Sequence, residues 1–126
     1  MKLACIDVGL KRIGLAICLA SNIVTPQSAI LRKNRDQAAL DVNAFLKEWE
    51  IEKLIVGFPS ASEEMQRRIK HFVSLLELTI PYEFCEENMS SIEAKDIMKG
   101  NIKYKRDGRV DSLAAKIILE RFLAKK

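Results

Sequence analysis

An α/β fold, a mixed five-stranded sheet flanked by helices, is what this chain predicts, and two observations carry the reading. Three strand-like runs come first, near enough in sequence to pair as neighbours; beyond them the hydrophobic period lengthens from two to between three and four. From there helical and strand-like segments alternate, the order that lays helices over a sheet.

Residues 2 to 8 and 13 to 19 are apolar runs separated by Gly9-Leu10-Lys11-Arg12, a short link that reads as a hairpin. Thr25 to Leu31 adds a third antiparallel strand, and Pro26 confines it to an edge or to its own first residues. Ala39, Val42, Phe45, Leu46 and Trp49 then fall on one helical face behind Asn34, a suitable N-cap. Lys53 to Phe58 encloses Leu54-Ile55-Val56, a run suited to a strand covered on both faces and parallel to its neighbour. Ser60 with Glu63 has capping-box spacing ahead of a stripe of Met65, Ile69, Phe72, Val73 and Leu76. Pro81 to Glu86 is a fifth strand, with Glu87 following it. Ser90 and Glu93 repeat the capping spacing for a short helix from about 91 to 98 that stops at Gly100. A polar, basic loop follows, and the last helix starts near Val110 and buries Leu113, Ala114, Ile117, Ile118 and Phe122. The right-handed crossover rule leaves few topologies, and Asp7 is expected on the central strand with Glu87 at the end of a strand beside it.

At 126 residues the chain is expected to be one domain, 1–126, without room for the second lobe that actin-like ATPases close over a nucleotide. No apolar run approaches the ~20 residues that span a bilayer, so no membrane partner is expected. Asp7 interrupts the apolar stretch of the N-terminus, which argues against a secretory signal and for the cytoplasm. Cys5, Cys18 and Cys85 lie far apart and His71 is the one histidine, so zinc spacing is missing; the thiols read as small core residues. From Lys99 onward nine basic residues face three acids, although the whole chain carries only +4. Lys103, Lys105, Arg106 and Arg109 concentrate that charge near Asp111, as a phosphate backbone beside a catalytic acid would require.

Asp7, Glu87 and Asp111 stand at the ends or starts of three regular elements. An aspartate inside Cys5-Ile6-Asp7-Val8-Gly9 is costly to bury unless its charge is compensated, and a divalent cation would compensate it. Two such ions about 4 Å apart, clamped by carboxylates from separate elements, are what a metal-dependent phosphodiesterase uses. Gly9 would permit close approach of a substrate backbone, and Lys11 and Arg12 would offer phosphate contacts. Glu86 and Glu87 are adjacent in an extended segment, so at most one of them can face Asp7.

The segments Asp7-Val8-Gly9-Leu10-Lys11-Arg12-Ile13-Gly14-Leu15-Ala16, Val56-Gly57-Phe58-Pro59, Glu86 through Ala94, and Val110 through Ala115 with Ile118-Leu119 resemble the four signature blocks of the YqgF family, also called RuvX. The resemblance runs in order through essentially the whole chain. It implies an RNase H-like fold and a metal-dependent nuclease, the family being described both as Holliday junction resolvases and as nucleases that mature the end of precursor 16S ribosomal RNA. By position, the family's catalytic and metal-binding acids fall on Asp7, Glu87 and Asp111, with Mg²⁺ or Mn²⁺ as the implied cofactor and Asp7 bridging two ions. Nucleic acid is the implied partner, RNA ahead of DNA, within ribosomal precursor particles, with the chain acting as a monomer or weak homodimer. Two blocks depart from the family pattern: Asn88 stands where an arginine is usual, and Ser60-Ala61-Ser62-Glu63-Glu64 stands where the family tends toward a polar Asn- or Met-Asp-Gly-Thr stretch. Both departures touch substrate contacts rather than metal ligands. Two other readings remain: a dimer that resolves four-way DNA, and an RNA- or ribosome-binding protein of weak catalytic power.

Overall fold

The computed structural model describes residues 1–20, 22–86 and 109–125, with side chains in the last segment described from Ser112 onward. Five strands, β1 (Leu3–Val8), β2 (Arg12–Cys18), β3 (Thr25–Leu31), β4 (Lys53–Phe58) and β5 (Tyr82–Glu86), form one sheet in the order β3-β2-β1-β4-β5. The first three are antiparallel neighbours, and β4 and β5 join parallel to β1 and to each other. Helices α1 (Arg35–Glu48) and α2 (Glu63–Leu76) provide the crossovers, and α3 (Arg109–Ala124) closes the described chain.

Each strand of the sheet's centre serves two cores, because successive side chains point to opposite faces. Ala4, Ile6 and Val8 of β1 pack with Leu54 and Val56 of β4 beneath Val42, Phe45 and Leu46 of α1 and Ile69, Phe72 and Val73 of α2. Leu3 and Cys5 pack on the other face with Ala16, Cys18 and Ile55 beneath Ala115, Ile118, Leu119 and Phe122 of α3. Fully buried side chains such as Ile118 and Leu119 each contribute about 1.5–3 kcal/mol by leaving water, which fixes α3 against the sheet. The three cysteines form no disulfide and are buried in this second core.

Local chemistry sets the helix starts. Asn34 accepts from the Gln37 amide, and the Gln37 side chain returns to the Asn34 backbone, a complete capping box. Trp49, expected on the helical stripe, instead ends α1 as its C-cap and packs partly buried against the first core. The α2 cap differs from expectation: Ser62, not Ser60, accepts from the Met65 amide at 3.3 Å, and the helix starts at Glu63. A cap must immediately precede the first helical residue, and Ser60 and Ala61 still belong to the turn. Strand β5 begins at Tyr82, and the Pro81 carbonyl just before it accepts from the Leu54 amide at 3.0 Å. Its place is a correction too: β4 takes the position beside β1, so β5 lies two strands from Asp7 at the sheet edge. The short helix expected from 91 to 98 and the basic loop after Gly100 lie outside the described residues.

Candidate active site

Asp7 occupies the C-terminal end of the central strand. Parallel pairing brings the C-terminal ends of β1, β4 and β5 to the same edge of the sheet, together with the start of α3. Alternation from Leu3 and Cys5 sets Asp7, half-buried, on the α3 face. Its direct partner on β2 is Gly14. On β4, Cys5 pairs with Ile55 and Ile6 with Val56, and the next step along that ladder sets Gly57 beside Asp7. The carboxylate is therefore flanked on its own face by two positions without side chains.

Glu86 is exposed at the end of β5. Cys85 faces α3, its thiol 3.9 Å from the Ile118 carbonyl, while Phe84 joins the opposite core. Glu86 therefore falls on the face opposite Asp7. Glu87 itself lies outside the described residues, as do Lys103, Lys105 and Arg106. Arg109 and Asp111 belong to the first turn of α3 by backbone, and their side chains lie outside the description. Among the described residues no three acids, cysteines or histidines gather as a metal cluster.

The position of that first turn is set by Ser112, a buried polar residue with no exposed surface. The β2–β3 register slips between Ile13 and Leu15. At the slip the Ser112 hydroxyl accepts from the Leu15 amide at 3.2 Å and donates to the Gln27 carbonyl. Leu15 is one residue from Gly14, so this plug brings the Asp111 backbone to the Asp7 end of the sheet. The sequence carried a signal for it: a serine on the same helical face as Ala115 and Leu119 needs a partner if that face is buried.

The turn after Asp7 is braced from behind. Gly9 donates to the Arg12 carbonyl at 2.9 Å, and Arg32 donates from Nη1 to the Gly9 carbonyl at 2.7 Å while its guanidinium stacks 5.3 Å over the Phe72 ring. Burial, then the nearby charges of Arg35 and Arg68, hold the Arg32 pKa below its ordinary value. Sequence reasoning named Lys11 and Arg12 in this turn, both exposed here, and missed Arg32. A lone arginine after an edge strand carries no local sign that it reaches a turn 23 positions away.

Residues 1–125 match the family model for RuvX, described as Holliday junction resolvase. The chain belongs to the RuvX family. A relative in Sulfurovum sp. (strain NBC37-1) is 66% identical over 127 residues, covering 98% of this chain and 99% of its own, and bears the name "Putative pre-16S rRNA nuclease". Relatives of the same name in Sulfurimonas denitrificans (50% identical, covering 100% of this chain and 99% of theirs) and Campylobacter lari (44%, covering 97% of each) extend the match. Among solved structures, the fowlpox virus Holliday junction resolvase superposes with a TM-score of 0.60 at 16% identity, covering 99% of this chain and 98% of that one. Thermus thermophilus RuvC superposes with 0.53 at 14% identity, covering 99% and 96%. These two likenesses show the RNase H-like fold, with three antiparallel strands and two parallel ones, that the RuvX blocks imply.

Proposed function

We propose that this RuvX-family chain is a divalent-metal-dependent nuclease that hydrolyses phosphodiester bonds in the maturation of precursor 16S rRNA. The observation that carries the reading is Asp7 at the end of the central strand, on the face and edge where α3 begins, with Gly14 and Gly57 as its neighbours. A carboxylate in that setting, with oxygen donors alone, suits Mg²⁺ or Mn²⁺ and not zinc. Asp7, Glu87 and Asp111 would hold the ions. Bound there, such ions polarise water for attack on phosphorus and screen the charge that develops on the phosphate.

The chain's own residues position the substrate. Lys11 and Arg12 contact its phosphates from the β1–β2 turn, and Lys103, Lys105 and Arg106, with Arg109 at the start of α3, supply further phosphate contacts. The flanking glycines let the sugar-phosphate chain reach Asp7, and Ser112 fixes the helix start from which Asp111 acts. The names borne by close relatives support the RNA substrate, and the location that follows is the cytoplasm. Among the described residues no helix is long and apolar enough to cross a membrane.

Purified protein incubated with a precursor 16S rRNA fragment tests the reading. Cleavage is expected with Mg²⁺ or Mn²⁺, and Asp7→Asn is expected to lose it while keeping an unchanged melting temperature. Cleavage that survives EDTA at full rate overturns it. The family's description favours a second reading, resolution of four-way DNA, which requires two active sites and hence a dimer. Sedimentation as a monomer on junction DNA excludes it.

A further inference from the structure

An open groove of about 680 Å³ runs along the β1–β2 turn and the end of β3, walled by Leu10, Lys11, Arg12, Leu31, Arg32 and Lys33. Four of these are cations, and among the described residues none of the four is in an ion pair. Neighbouring cations add to the positive field there: Arg35 and Arg68 add to burial in lowering the proton affinity of Arg32. A chain of phosphates would relieve it.

The other two walls are apolar and bare, Leu10 at 62% and Leu31 at 61% exposure. Aliphatic surface standing in water beside cations suits the face of an unpaired base, whereas a duplex hides its base faces and offers only its rim. The groove also points the right way. Arg12 and Leu31 are direct partners across β2 and β3. By alternation from Gly14 and Ala16, Arg12 lies on the sheet face of Asp7, at the same edge.

We propose that this groove is a subsite for a single-stranded stretch of nucleic acid leading to Asp7. Lys11, Arg12 and Lys33 engage its phosphates, and Leu10 and Leu31 pack against an unpaired base. The inference rests on the nuclease reading for the class of polymer, but its contacts need no metal. Lys33 extends the phosphate contacts beyond the two cations of the hairpin link, and the leucines assign a preference for unpaired strands.

The test is fluorescence anisotropy of the full chain with labelled oligouridylate in EDTA, against an RNA duplex of equal length. Tighter binding of the single strand is expected. Lys33→Gln should weaken it about threefold and lower the slope of log affinity against log salt by about 0.7, the value for one single-strand phosphate contact. Leu31→Ser should weaken single-strand binding alone, both variants melting as the wild type does. Equal or tighter duplex binding, or variants that bind as the wild type does, overturns the subsite. If Mg²⁺-dependent cleavage persists under that outcome, the nuclease reading stands without it. Losses in the variants alongside no cleavage under any metal uphold the subsite and sink the nuclease.

Discussion

The hydroxyl of Ser112 closes a break in the sheet that the backbone leaves open at Leu15. The amide of Leu15, 97 positions earlier, donates to it at 3.2 Å, and the hydroxyl in turn donates to the Gln27 carbonyl. Removing it would orphan one buried donor and one acceptor at once. Ser112→Ala is expected to cost about 1–3 kcal/mol, read as a lower urea midpoint at constant m-value. An unchanged midpoint would show that water replaces the hydroxyl.

At Gly9 the obstacle is steric. A Cβ there would stand 2.7 Å from the Arg12 carbonyl oxygen, a backbone atom held by the turn's own hydrogen bond. Gly9→Ala must therefore spread the hairpin, at a cost of about 1–3 kcal/mol by analogy with an overfilled core. Amide exchange at Gly9 should speed up relative to the rest of β1. If thermal unfolding and Gly9 exchange both match the wild type, the turn yields more readily than its hydrogen bond implies.

Arg32 braces the same turn through one hydrogen bond and one ring contact. Arg32→Lys keeps the charge but loses the planar fork, so it should not restore both. The expected loss is about 1 kcal/mol, within the range of a partly exposed cation–π contact. Comparison with Arg32→Ala by chemical denaturation checks it, and equal stability of wild type and Arg32→Lys would mean that charge alone suffices.

Burial pushes the Cys85 thiol above its ordinary pKa of 9.0, a shift to which Glu83 and Glu86 add and which Lys125 and Arg121 oppose. Above pH 9 the unfolded chain releases a proton that the folded chain retains, so stability falls as pH rises through that window. Cys85→Ala is expected to flatten the slope between pH 9 and the higher folded value. The variant and the wild type should be compared in denaturant titrations at several pH values; parallel slopes would assign the decline to other groups.

Much of the architecture was legible because it depends on local patterning. The bounds of β3 and β4, the Asn34 cap and the buried stripe of α3 follow from period and capping chemistry within a few residues of each element. The α2 cap was misplaced by two residues because Ser60 and Ser62 both stand within reach of a first-turn acid, and only backbone geometry separates them. Strand order was less legible, since any apolar segment matches either neighbour until the crossovers pack.

For the candidate site, the identity of Asp7, Lys11 and Arg12 came from residue type and position alone. Gly14 and Gly57 as the carboxylate's neighbours, Ser112 as the plug over the slipped register, and Arg32 as the brace came from tertiary pairing. By itself the sequence determined which segments fold and which acids and cations stand at their ends, because helix and strand periods act over neighbouring residues. Only the tertiary structure decided which of those ends meet and what surrounds them, because pairing across 23 or 97 positions depends on strand order and on the groups a packed sheet leaves unsatisfied.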